Sequence, residues 1–172
     1  RYLYLSDNKL EKLPDDIEWH LIGHLQRNKV KYIMSFVKMI HAVDSVRLLK
    51  EINKQAKKKQ RTIPCLLQFH IAKEESKYGI KPQNKEEILN SIISLDLSNV
   101  CIRGVMGMAS FTNDEKQIRT EFKQLKELYK ALNKDYFPSE SFDTISMGMS
   151  GDYKIALSQG SNMIRVGSAL FT

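Results

Sequence analysis

The sequence predicts an α/β protein, a (β/α)8 TIM barrel of which about six of the eight βα units are present. Short apolar runs alternate with amphipathic segments, the pattern of βα units around a parallel sheet. The apolar runs are nearly continuous, as in strands covered on both faces. Glycine–serine corners follow the last two runs, where such barrels hold phosphate groups. We therefore expect a single barrel domain over residues 1–172, incomplete at its N-terminus.

The first half of the chain opens inside a helical pattern and continues as alternating strands and helices. The predicted elements are a helix over residues 2–12, a strand over 18–24, a helix over 27–36, a strand over 39–44 and a helix that begins at Ser45. Leu48, Leu49, Ile52 and Ala56 fall on one face of the last helix, with the 3.6-residue spacing of an amphipathic helix.

The second half continues the same alternation. Asn84 precedes a helix that carries Glu87, much like a capping box. Asp114 begins a long helix, Asp152 is placed to cap a short one, and Gly160 is placed to end it. The predicted strands cover residues 65–72, 100–108, 144–149 and 163–169, and the short helix covers residues 152–159.

Composition narrows the class of protein. The net charge is +7, from 27 basic and 20 acidic residues, and the densest basic cluster lies at a helix end over residues 57–61. No aromatic residues interleave with that cluster, so a solvated helix end is favoured over a nucleic-acid surface. No run of ~18 apolar residues predicts a transmembrane helix. Cys65 and Cys101 lack CxxC spacing, which favours buried free thiols and a cytoplasmic location.

Several polar residues lie inside runs predicted to be buried strands. Parity places Gln68 and His70 on one strand face, which we expect to line the barrel interior. His20 and His24 stand roughly 13 Å apart along a strand at ~3.3 Å per residue, too far to share a metal ion. No metal site and no catalytic residue is predicted. The methionines near the strand ends fit a ring pocket and core packing equally well: Met106, Met108, Met147 and Met149.

The last two strands carry the candidate ligand site. Ser150 with Gly151, and Gly167 with Ser168, form corners whose backbone N–H groups suit an anion, above all a phosphate. Arg165 lies in a strand two residues before the second corner, and a buried guanidinium requires an anion or a strong acceptor. Two interpretations remain open, a phosphorylated ring compound in the same cavity or a structural ion pair with Asp or Glu.

Five motifs in order make the chain resemble the pyridoxal phosphate homeostasis proteins, also called proline synthase co-transcribed proteins. They are residues 19–29 (WHLIGHLQRNK), 75–79 (ESKYG), 103–108 (RGVMGM), 146–150 (SMGMS) and 164–168 (IRVGS). The resemblance implies a barrel of the alanine racemase N-terminal type with pyridoxal 5′-phosphate (PLP) at its C-terminal mouth. It implies phosphate contacts from Ser150, Gly167 and Ser168, with Arg165 near the pyridine nitrogen. It also implies cofactor contacts from Ser146, Met149 and His20.

The chain also departs from that family. The family holds its cofactor on a lysine at the end of the first strand, and no lysine here matches that position. Lys77 should lie near the mouth without taking that role. His70 stands where many relatives carry asparagine, and Ser168 where many carry threonine. The expected oligomeric state is a monomer or a weak dimer, and PLP-dependent apoenzymes are candidate recipients.

The sequence is compatible with three functions. The leading hypothesis is a non-catalytic protein that stores, shields or delivers PLP inside the cell. The alternative is a PLP-dependent amino-acid racemase of the same fold, and the third is a basic nucleic-acid-binding module. A permanently charged arginine at the ring nitrogen disfavours protonation of that nitrogen, so the cofactor would be a poor electron sink. This favours the first hypothesis.

Overall fold

The computed structural model describes residues 16–170, so the helix predicted over residues 2–12 lies outside the described residues. The strands are Trp19–Leu21 (β1), Val37–Val43 (β2), Ile63–Phe69 (β3), Val100–Gly107 (β4), Thr144–Met149 (β5) and Met163–Arg165 (β6). The α-helices are Val30–Ile33 (α1), Val46–Lys58 (α2), Lys85–Ile93 (α3), Glu115–Asp135 (α4) and Tyr153–Ser158 (α5). Short 3₁₀ turns cover Arg27–Lys29, Pro82–Asn84 and Ser168–Leu170.

The six strands form one sheet in the order β1-β2-β3-β4-β5-β6, and every neighbouring pair is parallel. The carboxyl ends of all six strands therefore lie at the same edge, and the loops that follow them meet there. This confirms the predicted parallel βα architecture and its six visible strands. Functional side chains are expected at that edge, where open and closed parallel sheets bind ligands.

Several element boundaries differ from the predicted ones. The helix expected over residues 27–36 is a 3₁₀ turn followed by the single α-turn Val30–Ile33. The strand expected over 65–72 is Ile63–Phe69, because the chain then turns and Ile80 pairs with Phe69. The strand expected over 163–169 ends at Arg165, because the N–H of Gly167 turns away to the Ser150 hydroxyl.

The helices predicted to begin at Ser45 and Asp114 do so, whereas the two predicted caps, Asn84 and Asp152, are wrong. Ser45 accepts a hydrogen bond from Leu48 N at 3.4 Å, and Asp114 accepts from Lys116 N at 2.9 Å, so both residues cap their helices. Asn84 makes no capping bond, because it closes a 3₁₀ turn with φ −99° and ψ 4°. Asp152 makes none either, since its carboxylate accepts the N–H of Met149 at 2.6 Å instead.

The main core lies between the helices and the outer face of the sheet. Strand residues of that face pack against the predicted apolar faces of α2 and α4. The buried residues of this core include Leu67 and Phe69 of β3, Leu49 and Ile52 of α2, and Phe122 and Leu125 of α4. A second, smaller cluster lies on the inner face and consists of Met39, Ala42, Leu66 and Met106, with Met108 and Met163 against it. The two clusters show that the sheet is covered on both faces, as the continuous apolar runs predicted.

The remaining predicted strand residues are accounted for by hydrogen bonds or packing. Gln68 donates to Tyr78 O at 3.0 Å. His70 follows β3 rather than belonging to it, and its ring lies 2.9 Å from Glu74 O. Met147 belongs to the outer core rather than to a ring pocket. Cys65 and Cys101 are free thiols, but only Cys65 is fully buried, and burial raises the pKa of its thiol.

Two further expectations concern the surface. In the basic cluster, Arg61 is held by the protein itself, since it donates to Met34 O and Val37 O at 2.7 Å each. This agrees with a structural helix end. Among residues 16–170, no helix is both long enough and apolar enough to cross a bilayer.

Burial predicts a large difference between two leucine-to-alanine substitutions on helices. Leu49 is fully buried in α2, whereas Leu157 is 48% exposed in α5. We expect Leu49→Ala to lower the free energy of unfolding by about 2–5 kcal/mol. Leu157→Ala should change it by less than about 1 kcal/mol, because little apolar area is lost and helix propensity is matched. Urea denaturation measures both, and equal losses would contradict the described core.

Candidate functional site

The loops after β5 and β6 meet at the carboxyl edge of the sheet. The Ser150 hydroxyl oxygen accepts hydrogen bonds from Gly167 N at 3.2 Å and from Ala169 N at 3.4 Å. Ser168 begins the 3₁₀ turn that follows. The structure thus brings Ser150, Gly167 and Ser168, three of the predicted phosphate-binding residues, into a single corner.

The corner has open space in front of its glycines. A Cβ atom added at Gly151 or Gly167 would meet no atom within 4 Å. Gly148 behaves differently, because its φ is +96° and a Cβ there would lie 2.6 Å from the side chain of Ala156. Gly148 therefore lets α5 pack close to β5, whereas Gly151 and Gly167 border free volume.

Arg165 points along the inner face of the sheet and is held by two acceptors. Its Nη1 donates to the Ser146 hydroxyl oxygen at 2.7 Å, and its Nη2 donates to Gly107 O at 3.0 Å. Within residues 16–170, no carboxylate forms an ion pair with this guanidinium. Burial lowers the pKa of Arg165 to about 10, an effect opposed by the charge of Asp152. Arg165 thus remains a cation at neutral pH, and the structural ion pair that was the alternative interpretation is not observed in the described part of the chain.

Two histidines extend the hydrogen bonding from Ser146 across the sheet. His41 Nδ1 lies 3.0 Å from the Ser146 hydroxyl oxygen, and His41 Nε2 lies 3.0 Å from His20 Nδ1. We call these four side chains, His20, His41, Ser146 and Arg165, the inner-face chain. It joins β1 and β2 to β5 and β6, so it connects the two edges of the described sheet.

The inner-face chain shows that the sheet is curled. Strands β2 and β5 are three places apart, which is about 14 Å in a flat sheet at ~4.8 Å per strand. His41 of β2 and Ser146 of β5 are nevertheless joined by a 3.0 Å hydrogen bond. Side chains can span that gap only if the sheet closes toward its inner face, as it does in a barrel.

Both histidines favour the neutral form. Burial is the largest cause that lowers the pKa of His41 to about 3, followed by electrostatic repulsion from His20, were it protonated, and from the Arg165 cation. Burial also lowers the pKa of His20, with Glu18 opposing the shift and Lys38 adding to it. A neutral imidazole has one donor and one acceptor nitrogen, which allows each ring to relay a hydrogen bond.

The remaining predicted residues fall at the edge of the site or outside it. Met149 ends β5 and is 37% exposed beside the corner. Lys77 lies at the same edge, where it donates to Ala109 O and pairs with Glu74 at 3.5 Å. Arg103 takes no part, because it forms an ion pair with Asp143 near the start of β5.

His41 is the residue that sequence reasoning missed. It is 1% exposed and sits in the buried strand β2, where a polar side chain needs a partner. That signal had identified Gln68 and Arg165 and applies equally to His41. What the sequence did not reveal is the partner, because Ser146 lies 105 residues further along the chain.

Comparison with known proteins assigns a class to this fold and site. The family described as "Alanine racemase, N-terminal domain" matches residues 10–172. The chain is 37% identical over 164 residues to the pyridoxal phosphate homeostasis protein of Aquifex aeolicus, which covers 95% of this chain and 70% of that protein. It is 35% identical to the homologue of the same name from Helicobacter pylori, and the match covers 95% of this chain and 70% of that protein. The chain belongs to the pyridoxal phosphate homeostasis protein family.

Solved structures agree with this placement. PipY of Synechococcus elongatus, in a structure with PLP bound, is 31% identical and has a TM-score of 0.83, covering 96% of this chain and 74% of that one. Alanine racemase of Clostridium difficile is 14% identical with a TM-score of 0.71, and the match covers 95% of this chain and 42% of that one. At this identity the likeness shows the shared fold alone. The alanine racemase N-terminal fold predicted from the sequence is therefore confirmed.

The neutral state of His41 predicts a pH-dependent stability. The folded protein does not take up a proton at His41 until about pH 3, whereas the unfolded chain does so near pH 6.5. Stability is therefore lost as pH falls below 6.5, by about 2 kcal/mol between pH 7.5 and 5 from this residue alone. We expect His41→Asn to remove that part of the slope and His70→Asn to keep it, as measured by urea denaturation. Parallel slopes for wild type and His41→Asn would contradict the assignment.

Proposed function

We propose that this protein binds pyridoxal 5′-phosphate at the carboxyl edge of the sheet and takes part in its intracellular homeostasis by storing, shielding or delivering it. The observation that carries the proposal is the partly buried cation Arg165, which has no carboxylate partner within residues 16–170 and shares the edge with an open serine–glycine corner. The names of the relatives and the PLP-bound structure of PipY support the same ligand.

The described residues fit a phosphorylated pyridine. Ser150, Gly167 and Ser168 would hold the phosphate. The Ser150 hydroxyl, whose oxygen accepts from Gly167 N and Ala169 N, can donate its own hydrogen to a phosphate oxygen, and the glycines of the corner border free volume. Arg165 would face the ring nitrogen, where a guanidinium can only donate. Ser146 acts through Arg165, because its hydroxyl oxygen accepts from Nη1. The remaining predicted contacts, Met149 and His20, would border the ring.

The proposed role is non-catalytic. When bound, PLP supplies an electron-withdrawing ring whose strength depends on protonation of its nitrogen. Arg165 keeps a positive charge at neutral pH and so opposes a second positive charge beside it. Turnover of an amino acid well above the rate of free PLP would overturn this part of the proposal. PLP-dependent apoenzymes are the proposed recipients, and the free thiols of Cys65 and Cys101 support a reducing, cytoplasmic setting.

The phosphate contact is best tested with pyridoxine 5′-phosphate, which lacks the aldehyde and therefore reports non-covalent contacts. We expect Ser150→Ala to weaken its binding by about tenfold to a hundredfold, the value of one or two hydrogen bonds to a charged group. Isothermal titration calorimetry measures the affinity. Ser91→Ala is the matched control, because the Ser91 hydroxyl donates to Glu87 O within the same helix, α3, away from the corner. Failure of the wild type to bind either PLP or pyridoxine 5′-phosphate at micromolar concentration would refute the proposal.

Gly167→Ala separates binding from folding. The added methyl group enters open space, so the melting temperature should stay within a few degrees of the wild-type value. The same methyl group fills volume that we assign to the phosphate, so affinity for pyridoxine 5′-phosphate should fall about tenfold or more. Unchanged affinity in a normally folded variant would place the phosphate elsewhere.

A further inference from the structure

We infer that His41 and His20 are positioning residues that hold the inner-face chain in one hydrogen-bond direction, running from Arg165 through Ser146 and His41 to His20, and so fix Arg165 for its ligand. The inference deepens the proposed function and rests on it for the identity of that ligand. Its structural part concerns four side chains of this protein and can be tested without any ligand.

The direction follows from counting donors and acceptors. A guanidinium has donors only, so the Ser146 oxygen must accept from Arg165. The Ser146 hydroxyl hydrogen then needs an acceptor, and His41 Nδ1 lies 3.0 Å away. His41 Nδ1 is therefore unprotonated, and the neutral ring carries its hydrogen on Nε2. That hydrogen points to His20 Nδ1 at 3.0 Å, which leaves the hydrogen of His20 on its own Nε2.

The opposite direction leaves one group unsatisfied. If His20 donated to His41, and His41 Nδ1 donated to Ser146, the serine oxygen would receive two donors. Its own hydrogen would then find no partner among the hydrogen bonds of Ser146 within the described residues. The positive ends of both imidazole N–H groups would also point toward the guanidinium. Hydrogen bonds aligned away from the cation polarise one another favourably instead.

The charges around the two rings support a neutral relay. His41 faces the positive charge of Arg165 from β6, and His20 faces both Lys38 from β2 and Glu18 just before β1. Lys38 and Glu18 form an ion pair at 3.2 Å, so each is partly neutralised by the other. No group in this set provides a full negative charge that would favour an imidazolium within the chain.

The relay has a consequence for Arg165. Two of its five N–H donors are used by Ser146 and Gly107, which leaves the others for a ligand acceptor. A serine hydroxyl rotates freely on its own, and donation to His41 Nδ1 fixes the orientation in which its lone pairs face Arg165. Loss of the His41 acceptor should therefore affect contacts to the ring nitrogen and spare contacts to the phosphate.

The first test observes the imidazole nitrogens directly. In protein labelled with 15N-histidine and free of ligand, long-range 1H–15N spectra distinguish the two neutral tautomers. We expect the Nε2–H form for both His41 and His20 at pH 7.5, with no protonation of His41 down to pH 5.5. An Nδ1–H form of His41, or an imidazolium signal of His41 between pH 7.5 and 5.5, would overturn the inference whether or not PLP binds.

The second test separates ring contacts from phosphate contacts. His41→Leu should weaken pyridoxine 5′-phosphate binding about tenfold and leave the affinity for inorganic phosphate, followed by 31P NMR, unchanged. His41→Asn places an amide oxygen near the former Nδ1 position and should restore most of the affinity. His70→Asn is the control, since His70 bonds to Glu74 O outside the inner-face chain.

The outcomes of the second test are distinguishable. Equal losses for both ligands, or equal losses for His41→Leu and His41→Asn, would show that His41 is merely structural and would overturn the inference. If His41→Leu does not fold, His41→Asn and the tautomer spectra still decide. If the wild type binds neither PLP nor pyridoxine 5′-phosphate, the proposed function fails. The hydrogen-bond direction is then tested by the 1H–15N spectra alone.

Discussion

The hydrogen bond between His41 and Ser146 spans strands three places apart, and the site depends on the curvature that makes it possible. Curling brings β2 toward β5, so the inner face becomes an interior in which polar groups must find one another. The outer face meets helices and carries the larger apolar core. The inner face carries only a small apolar cluster and leaves room for a polar chain that ends at Arg165.

Arg165 links the architecture to the proposed ligand. Buried guanidinium groups need a balancing charge or strong acceptors, and the partly buried guanidinium of Arg165 is held by a hydroxyl and a backbone carbonyl, which stabilise a cation without cancelling its charge. The electrostatic field of that cation therefore remains available at the mouth. The Ser150 corner lies at the same edge and adds oriented dipoles, so both features favour an anionic ligand with a polar ring.

The parallel βα architecture and the helix starts at Ser45 and Asp114 were predicted from local sequence patterns and are confirmed, whereas the contacts between distant residues were not predicted. Ser45 and Asp114 cap helices because their side chains need only neighbouring N–H groups. Asn84 and Asp152 looked equivalent and differ because a preceding turn or loop competes for them. The two serine–glycine corners were predicted from glycine and serine placement, but the hydrogen bond between them was not. The relay through His41 required the curvature of the sheet, which hydrophobic periodicity does not encode.

Strand β6 is only three residues long, and the Ser150 hydroxyl fastens the loop that follows it to the loop after β5. Anything that occupies the space between those loops also holds β6 in register with its neighbour. Part of the binding free energy of such an occupant must therefore appear as resistance of this strand to local opening. Occupied and empty forms of the protein should consequently differ in how often β6 separates from β5, even where their average coordinates coincide.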